Sequence, residues 1–378
     1  MEFVAFRFIH TADWQIGKAF ANFTGDPGAD LRGQRIKTVE RIAEVGRANE
    51  VDAILVAGDA FDSNDVSERT LVRTVEALKP FQGTWVFLPG NHDAALAHSV
   101  WTRLRTMDLP SNIVIADRPV PVDRWQGRAT VLPAPLRRRR EALDQTEWFD
   151  VAPSPEDSCR IGLAHGAVAG RLPDKADSAN EIPEDRAAKA RLCYLALGDW
   201  HGALKIAPRT WYAGAPEPDR HKANASGLVQ LVELDGVGAP ERVDAIPVGH
   251  YCWIRLDIEL LDGTCGKALQ ALDALTQEHR CCVIHLRLSG SVSLGERRRL
   301  EAELRRWEAR VHHLEVDDTA LRDEPTADDL DAIDTAGFVR LAVERLRLKA
   351  SDPVHPERDT ARTALRMLYL DHLGTSDA

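Results

Sequence analysis

The chain has 378 residues, 44% of them hydrophobic, with 48 basic against 59 acidic side chains and a formal charge of −11. That composition excludes a disordered or fibrous chain. It also shows no basic surplus of the kind a general nucleic-acid binder carries, although a local basic groove remains compatible with it.

The predicted elements begin with apolar runs at 3–9, 52–57, 84–88, 160–164 and 194–197, which read as buried strands. The opening, Met1-Glu-Phe-Val-Ala-Phe-Arg-Phe, lacks a basic leader and a small-residue cleavage site, so it is read as strand and not as signal peptide. Residues 31–49 and 67–79 have helical spacing and lie between the first three runs, a βαβ pattern that predicts parallel strands. Short strands then follow one another at 210–213, 227–234 and 241–247, so a mixed or two-sheet core enclosed by helices is expected. The stretch 247–251 reads as a linker. Beyond it, strand 252–260, helix 264–279, strand 281–289, helix 294–310 and strand 312–316 predict a small α/β domain. An acidic, proline-containing stretch past Leu321 leads to amphipathic segments 336–349 and 357–373, giving divisions at 1–248, 249–320 and 321–378. No apolar run reaches the ~20 residues of a membrane span. The cysteines (Cys159, Cys193, Cys252, Cys265, Cys281, Cys282) form no CxxC pair and are expected to be free thiols of a cytoplasmic protein.

Each predicted strand of the first part runs into polar residues. The segments are His10-Thr-Ala-Asp-Trp-Gln15, Gly58-Asp-Ala-Phe-Asp62, Gly90-Asn-His-Asp93, Gly162-Leu-Ala-His165 and Gly198-Asp-Trp-His201. Ligand sites in open α/β sheets form beyond the carboxyl ends of strands, so these residues are expected to converge. Two divalent cations ~3.5–4 Å apart can hold a phosphate and activate a water for in-line attack. Asp59 is the carboxylate expected to bridge them. Asn91 can give a carbonyl oxygen, and His92 would face the scissile bond as general acid or transition-state stabiliser, oriented by Asp93. Asp62 either orients His92 or caps the following helix. A donor set of mixed softness does not select among Mn²⁺, Fe²⁺ and Zn²⁺.

This ordered set resembles the calcineurin-like metallophosphoesterase superfamily. The HTADWQIG opening, the GDAFD and LPGNHD segments and the small α/β domain are similar to its DNA-exonuclease branch, that of the SbcD nuclease subunit of the bacterial SbcCD complex. The resemblance implies an α/β fold: a metallophosphoesterase core of two mixed β-sheets flanked by helices, then a small α/β cap that helps position DNA, then a short helical tail. It implies a metal-dependent exonuclease/endonuclease of DNA repair, with DNA as substrate. The tail would dock an SMC-type ATPase resembling SbcC; a homodimer is admitted and no membrane is involved. The first metal would take Asp13, Gln15, Asp59 and His201, and the second Asp59, Asn91, His165 and Asp199. His92, Asp62 and Asp93 would form the catalytic set. Two divalent ions are implied, Mn²⁺ foremost, with Mg²⁺ or Fe²⁺ as alternatives. Gln15 and Asp199 depart from the family, which has histidine at both positions. Asp199 still ligates as a hard anionic oxygen, whereas Gln15 is a poor neutral ligand. A small-nucleotide phosphodiesterase or phosphatase, and a catalytically impaired scaffold that binds DNA or the partner, are the alternative readings.

Several residues have plainer explanations. His10 and Thr11 are expected to satisfy strand-end backbone groups. Trp14 and Trp200 either pack beneath the site or stack on a base. Arg137–Arg140 suits phosphate contacts, yet a charge run is ordinarily a solvated face. Arg297–Arg299, Arg305, Arg306 and Arg310 share a predicted helix with four glutamates, so intrahelical pairing is expected.

Overall fold

The computed structural model describes residues 4–376 apart from 24, 171–179, 223, 326–329 and 332–336. Residues 3 and 336, the predicted starts of the first strand and of the first tail segment, lie outside the described residues. The chain divides into two compact units, Met1–Tyr251 and Cys252–Ala378. No helix among the described residues is long and apolar enough to cross a membrane.

The first unit opens with β1 (Phe6–Thr11), α1 (Asp26–Ala48), β2 (Ala53–Val56), α2 (Glu68–Leu78), β3 (Thr84–Phe87), α3 (Val100–Arg105) and β4 (Ile113–Ile115). It continues through β5 (Ala129–Ala134), β6 (Cys159–His165), α4 (Arg186–Lys189), β7 (Tyr194–Gly198), β8 (Leu204–Ala207), β9 (Thr210–Tyr212), β10 (Leu228–Leu234) and β11 (Arg242–Pro247). One sheet has the order β11-β10-β1-β2-β3-β4, the other β5-β6-β7-β9-β8. In the first, β1 to β4 run parallel, β10 pairs antiparallel with β1, and β11 pairs antiparallel with β10; in the second, β5, β6, β7 and β9 run parallel and β8 antiparallel. The βαβ pattern is therefore realised in a core of two mixed sheets.

The residue types explain the layering. All four residues of β2, Ala-Ile-Leu-Val, are buried, as expected of a parallel strand covered on both faces. On one face Ile54 and Val56 meet Ile36, Val39 and Ile42 of α1 and Leu71, Val75 and Leu78 of α2. On the other, Leu55 and Val86 join Phe6 and Phe8 against Val131, Ile161, Leu163 and Tyr194 of the second sheet. Trp14 is part of the first cluster, 1% exposed and edge-on to Trp85 and Phe87. Strand β5 escaped the sequence reading because Pro133 interrupts it. It lies at a sheet edge, where a proline costs no ladder bond.

The second unit contains β12 (Cys252–Gly263), α5 (Gly266–Asp273), β13 (Cys282–Ser293), α6 (Leu294–Glu308) and β14 (His313–Glu324), then α7 (Phe338–Ser351) and α8 (Arg358–Ser376). Its three strands are parallel in the order β12-β13-β14. Helix α5 ends well before residue 279. Strand β14 runs past 316 because its pairing with β13 carries an exposed, polar sequence that no hydrophobic pattern would mark. Arg297 pairs with Glu301 one turn on, as the charge pattern suggested, and also with Asp318. No disulfide links any of the six cysteines.

Candidate metal centre

The strand-end loops are tied together through their backbones. After β1 the chain turns through Asp13 (φ 54°) and Gln15 (φ 45°), and after β2 through Gly58 (φ 89°) and Asp59 (φ 52°). The two loops then zip: Asp13 N donates to Gly58 O at 3.1 Å, Gln15 N to Asp59 O at 2.9 Å and Ile16 N to Ala60 O at 3.0 Å. Asp199, just beyond β7, has φ 98°, and its N–H donates to both carboxylate oxygens of Asp13 at 3.2 Å. Such conformations cost about 1–3 kcal/mol each and collect where side chains must be aimed. Gly90 is required for a different reason. A Cβ there would meet Asp59 Oδ1 at 2.2 Å and Asp59 N at 2.4 Å.

Asp13, Asp59 and His165 are buried and offer ligand atoms within 4.8 Å of one another. His165 Nδ1–H donates to Ala57 O at 2.8 Å, which leaves Nε2 as the ligating nitrogen. That atom lies 3.5 Å from Asp59 Oδ1 and 3.7 Å from Asp199 Oδ1. Asn91 Nδ2 donates to Asp199 Oδ1 at 3.3 Å. Asn91 Oδ1 and His165 Nε2 are buried without a hydrogen-bond partner. Orphaned buried polar atoms require an explanation, and a cation beside three carboxylates supplies one.

The electrostatics agree. Burial raises Asp13, with the charge of Asp59 adding to it, although His201 and His165 oppose. Burial, helped by Asp13 and Asp59, lifts Asp199 to about 6. Burial acts downward on His165, but Asp59, Asp13 and Asp199 together outweigh it and lift the imidazole to about 9. Carboxyls raised by burial and by one another, around an imidazole raised by the same carboxylates, mark a concentration of negative charge that a divalent cation would neutralise. The residues therefore fit a metal-binding role.

His92 is held differently from the sequence expectation. Its backbone N–H donates to Asp59 Oδ1 at 2.9 Å, and its Nδ1–H donates to the backbone oxygen of Asp62 at 2.9 Å. Asp93 does not orient it. The Asp93 carboxylate accepts from Gly90 N at 2.7 Å and Phe61 N at 3.0 Å, stapling the Gly90–Asp93 turn to the Asp59–Asp62 loop. Nor does Asp62 cap a helix, since Ser67 caps α2.

Gln15 lies beside His201, its Nε2 3.4 Å from His201 Nε2, while its Oε1 accepts from Lys18 Nζ at 3.3 Å. On the far side of the His201 ring, Nδ1 lies 3.6 Å from Asp219 Oδ1 and 3.1 Å from Arg220 Nη2. Asp219 also meets Lys18 Nζ, Arg220 Nε at 2.8 Å and Arg35 Nη2 at 3.9 Å. Burial pushes its carboxyl upward, but His201, Arg220 and Arg35 hold it well below the usual carboxylate range. The sequence reading missed Lys18, Asp219 and Arg220. The available signal was Gly214-Ala-Pro-Glu-Pro-Asp-Arg220, one more polar loop just past a strand end, β9.

A cavity of about 520 Å³ opens over these residues, with Asp59, Asn91, His92, Asp199 and His201 in its walls beside Lys18, Arg139, Arg140 and Arg220. His10 lies outside it as the plainer reading expected, bound to Tyr194 Oη and Leu197 O at 3.1 Å and driven by burial to about 3. Trp200 is half-buried with Lys222 Nζ 4.2 Å over its ring.

Asp, Asn and His side chains converging from the carboxyl ends of parallel strands, in a core of two mixed sheets, define a metallophosphoesterase domain. The family model for calcineurin-like phosphoesterases matches residues 6–217, more than half of the chain, and the chain belongs to that family. It is similar to the DNA double-strand break repair protein Mre11 of Methanosarcina acetivorans, with 23% identity over 299 residues, 75% of this chain and 46% of that one. It is also similar to Mre11 of Methanopyrus kandleri, with 25% identity, 62% of this chain and 55% of that one. A further relative is the SbcD subunit of the SbcCD nuclease of Rhodobacter capsulatus, with 27% identity, 63% of this chain and 68% of that one. The chain thus spans about half the length of these Mre11 relatives. Among solved structures, a purple acid phosphatase from yellow lupin seeds aligns over 65% of this chain and 52% of its own, at TM-score 0.40 and 10% identity.

Proposed function

We propose that this chain is a nuclease of DNA repair that hydrolyses phosphodiester bonds with two divalent cations, Mn²⁺ foremost. The observation that carries the reading is the buried cluster of Asp13, Asp59 and His165, joined by half-buried Asp199, with Asn91 Oδ1 and His165 Nε2 unpartnered inside it. Asp59 would be shared by both cations, with Asp13 and His201 serving one and Asn91, His165 and Asp199 the other. When bound, the cations would neutralise phosphate charge and lower the pKa of an attacking water.

The chain's own residues supply the rest. His92 Nδ1–H is fixed on Asp62 O, so Nε2 is the nitrogen that would deliver a proton to the leaving oxygen. The hydrogen bond from His92 N to Asp59 Oδ1 ties this acid to the carboxylate that would be shared by the cations. Asp219 supports His201, and Gln15 contributes through His201 rather than as a strong ligand. DNA as substrate is supported by the names of the relatives, and by the basic side chains of the cavity walls. An SMC-type ATPase partner is part of the same reading. Exposed Phe338, Leu341 and Leu348 of α7 fall at helical spacing and suit a groove or coiled-coil contact.

A Mn²⁺-dependent assay of linear DNA beside bis(p-nitrophenyl) phosphate tests the proposal. Chelator-sensitive cleavage of DNA is expected. Cleavage of the small ester alone would favour a small-nucleotide phosphodiesterase, and cleavage of neither a scaffold.

A further inference from the structure

We infer that the arginine run after β5 is a phosphate-binding subsite beside the metal centre, taking a non-scissile phosphate of the nucleic-acid strand; this rests on the nuclease reading above. Arg139 and Arg140 line the same cavity as Asp59, Asn91 and His92. The loop that carries them is pinned on both sides. Leu136, 1% exposed, donates its N–H to Pro89 O at 3.2 Å and accepts from Ala95 N at 2.8 Å, so the loop is fastened to both flanks of the Gly90–Asp93 turn. Asn180, 5% exposed, closes the other side: its Oδ1 accepts from Glu141 N at 2.7 Å and its Nδ2 donates to Arg139 O at 3.2 Å.

Arg139 differs from the arginines that are neutralised elsewhere in the fold. Arg103, Arg128, Arg186 and Arg297 each have a carboxylate partner. Arg137 to Arg140 are exposed, and the Arg139 guanidinium has no ion-pair partner among the described residues. Glu141 Oε1 accepts from the Arg137 backbone N–H. Adjacent like charges on a fixed main chain repel, and an anionic ligand relieves the repulsion. Asp59 and Asp199 in the cavity would hold cations, and the arginines of its wall carry the charge that would meet a further phosphate. A guanidinium fork matches two phosphate oxygens at once. A small ester presents one phosphate, at the metals, and leaves this loop idle. A strand brings its neighbouring phosphates to the loop.

The test is the Arg139→Ala/Arg140→Ala double variant of the full chain, assayed with Mn²⁺ on linear DNA and on bis(p-nitrophenyl) phosphate. The KM for DNA is expected to rise about tenfold, and the logarithmic salt dependence of DNA binding to fall by about 1–2, as ~0.9 per lost phosphate contact requires. The rate on the small ester is expected to stay within about twofold, a control that also reports an intact fold. Unchanged KM for DNA, or equal losses on both substrates, overturns the subsite. An unmodified protein that cleaves the small ester yet neither binds nor cuts DNA would instead overturn the nuclease reading, and the subsite with it.

Discussion

Asp219→Asn removes one charge without changing side-chain shape, and its cost follows from what Asp219 touches. Its side chain is 3% exposed and that of Arg35 1% exposed. Among the described residues Arg35 Nη1 donates to Trp14 O at 2.6 Å, Nε and Nη2 have no hydrogen bond, and Asp219 is the carboxylate paired with it. Removing one partner of a buried pair costs about 3–5 kcal/mol. For a unit of this size each kcal/mol lowers Tm by about 2–4 °C, so a fall of about 6–20 °C is expected. The sign with pH is fixed by the direction of the shift. The folded carboxyl titrates well below its ordinary 3.8, so its contribution is complete above that value and is lost only as pH falls into strong acid. The comparison therefore belongs at pH 7. His201 also loses the carboxylate beside Nδ1, and support of this kind is worth about 10–100-fold in metal affinity. Thermal unfolding and calorimetric Mn²⁺ titration read the two effects separately. A Tm within about 2 °C of the parent, together with unchanged Mn²⁺ affinity, would refute the reasoning, since less than 1 kcal/mol would then rest on the pair.

His92→Ala should lower turnover by ~10²–10⁴-fold, the size of a lost general acid, while metal content by elemental analysis stays at the parent level. Asp59→Asn should lose metal and activity together in the same pair of measurements. Gln15→His replaces an amide whose oxygen is already engaged by Lys18, and should lower the Mn²⁺ concentration for half-maximal rate; identical titration curves would mean that residue 15 is no ligand. Gly90→Ala forces a Cβ against the backbone and carboxylate of Asp59, and should cost about 1–3 kcal/mol by chemical denaturation, with a parallel loss of Mn²⁺ affinity.

What could be read from the sequence follows from where side chains spend their specificity. Strands such as β2 are buried on both faces and leave uninterrupted apolar runs, so their ends, and the Asp, Asn and His residues beyond them, stand out. Asp13, Asp59, Asn91, His165 and Asp199 were found by that rule and lie together. The role of Asp93 was not legible, because its partners are backbone N–H groups of two turns, Gly90 in its own and Phe61 in another, which no residue type announces. Asp219 escaped because its meaning depends on Lys18, Arg35 and His201, which lie far from it or out of motif along the chain. Strands β5 and β14 were missed or cut short at sheet edges, where a proline or a polar run is compatible with pairing.

The most direct test of the account is anomalous diffraction from crystals of the full chain soaked in Mn²⁺. Two ions are predicted, both bound by Asp59, with Asp13 and His201 on one and Asn91, His165 and Asp199 on the other. A single ion, or an Asp59 carboxylate bound to neither, would contradict it.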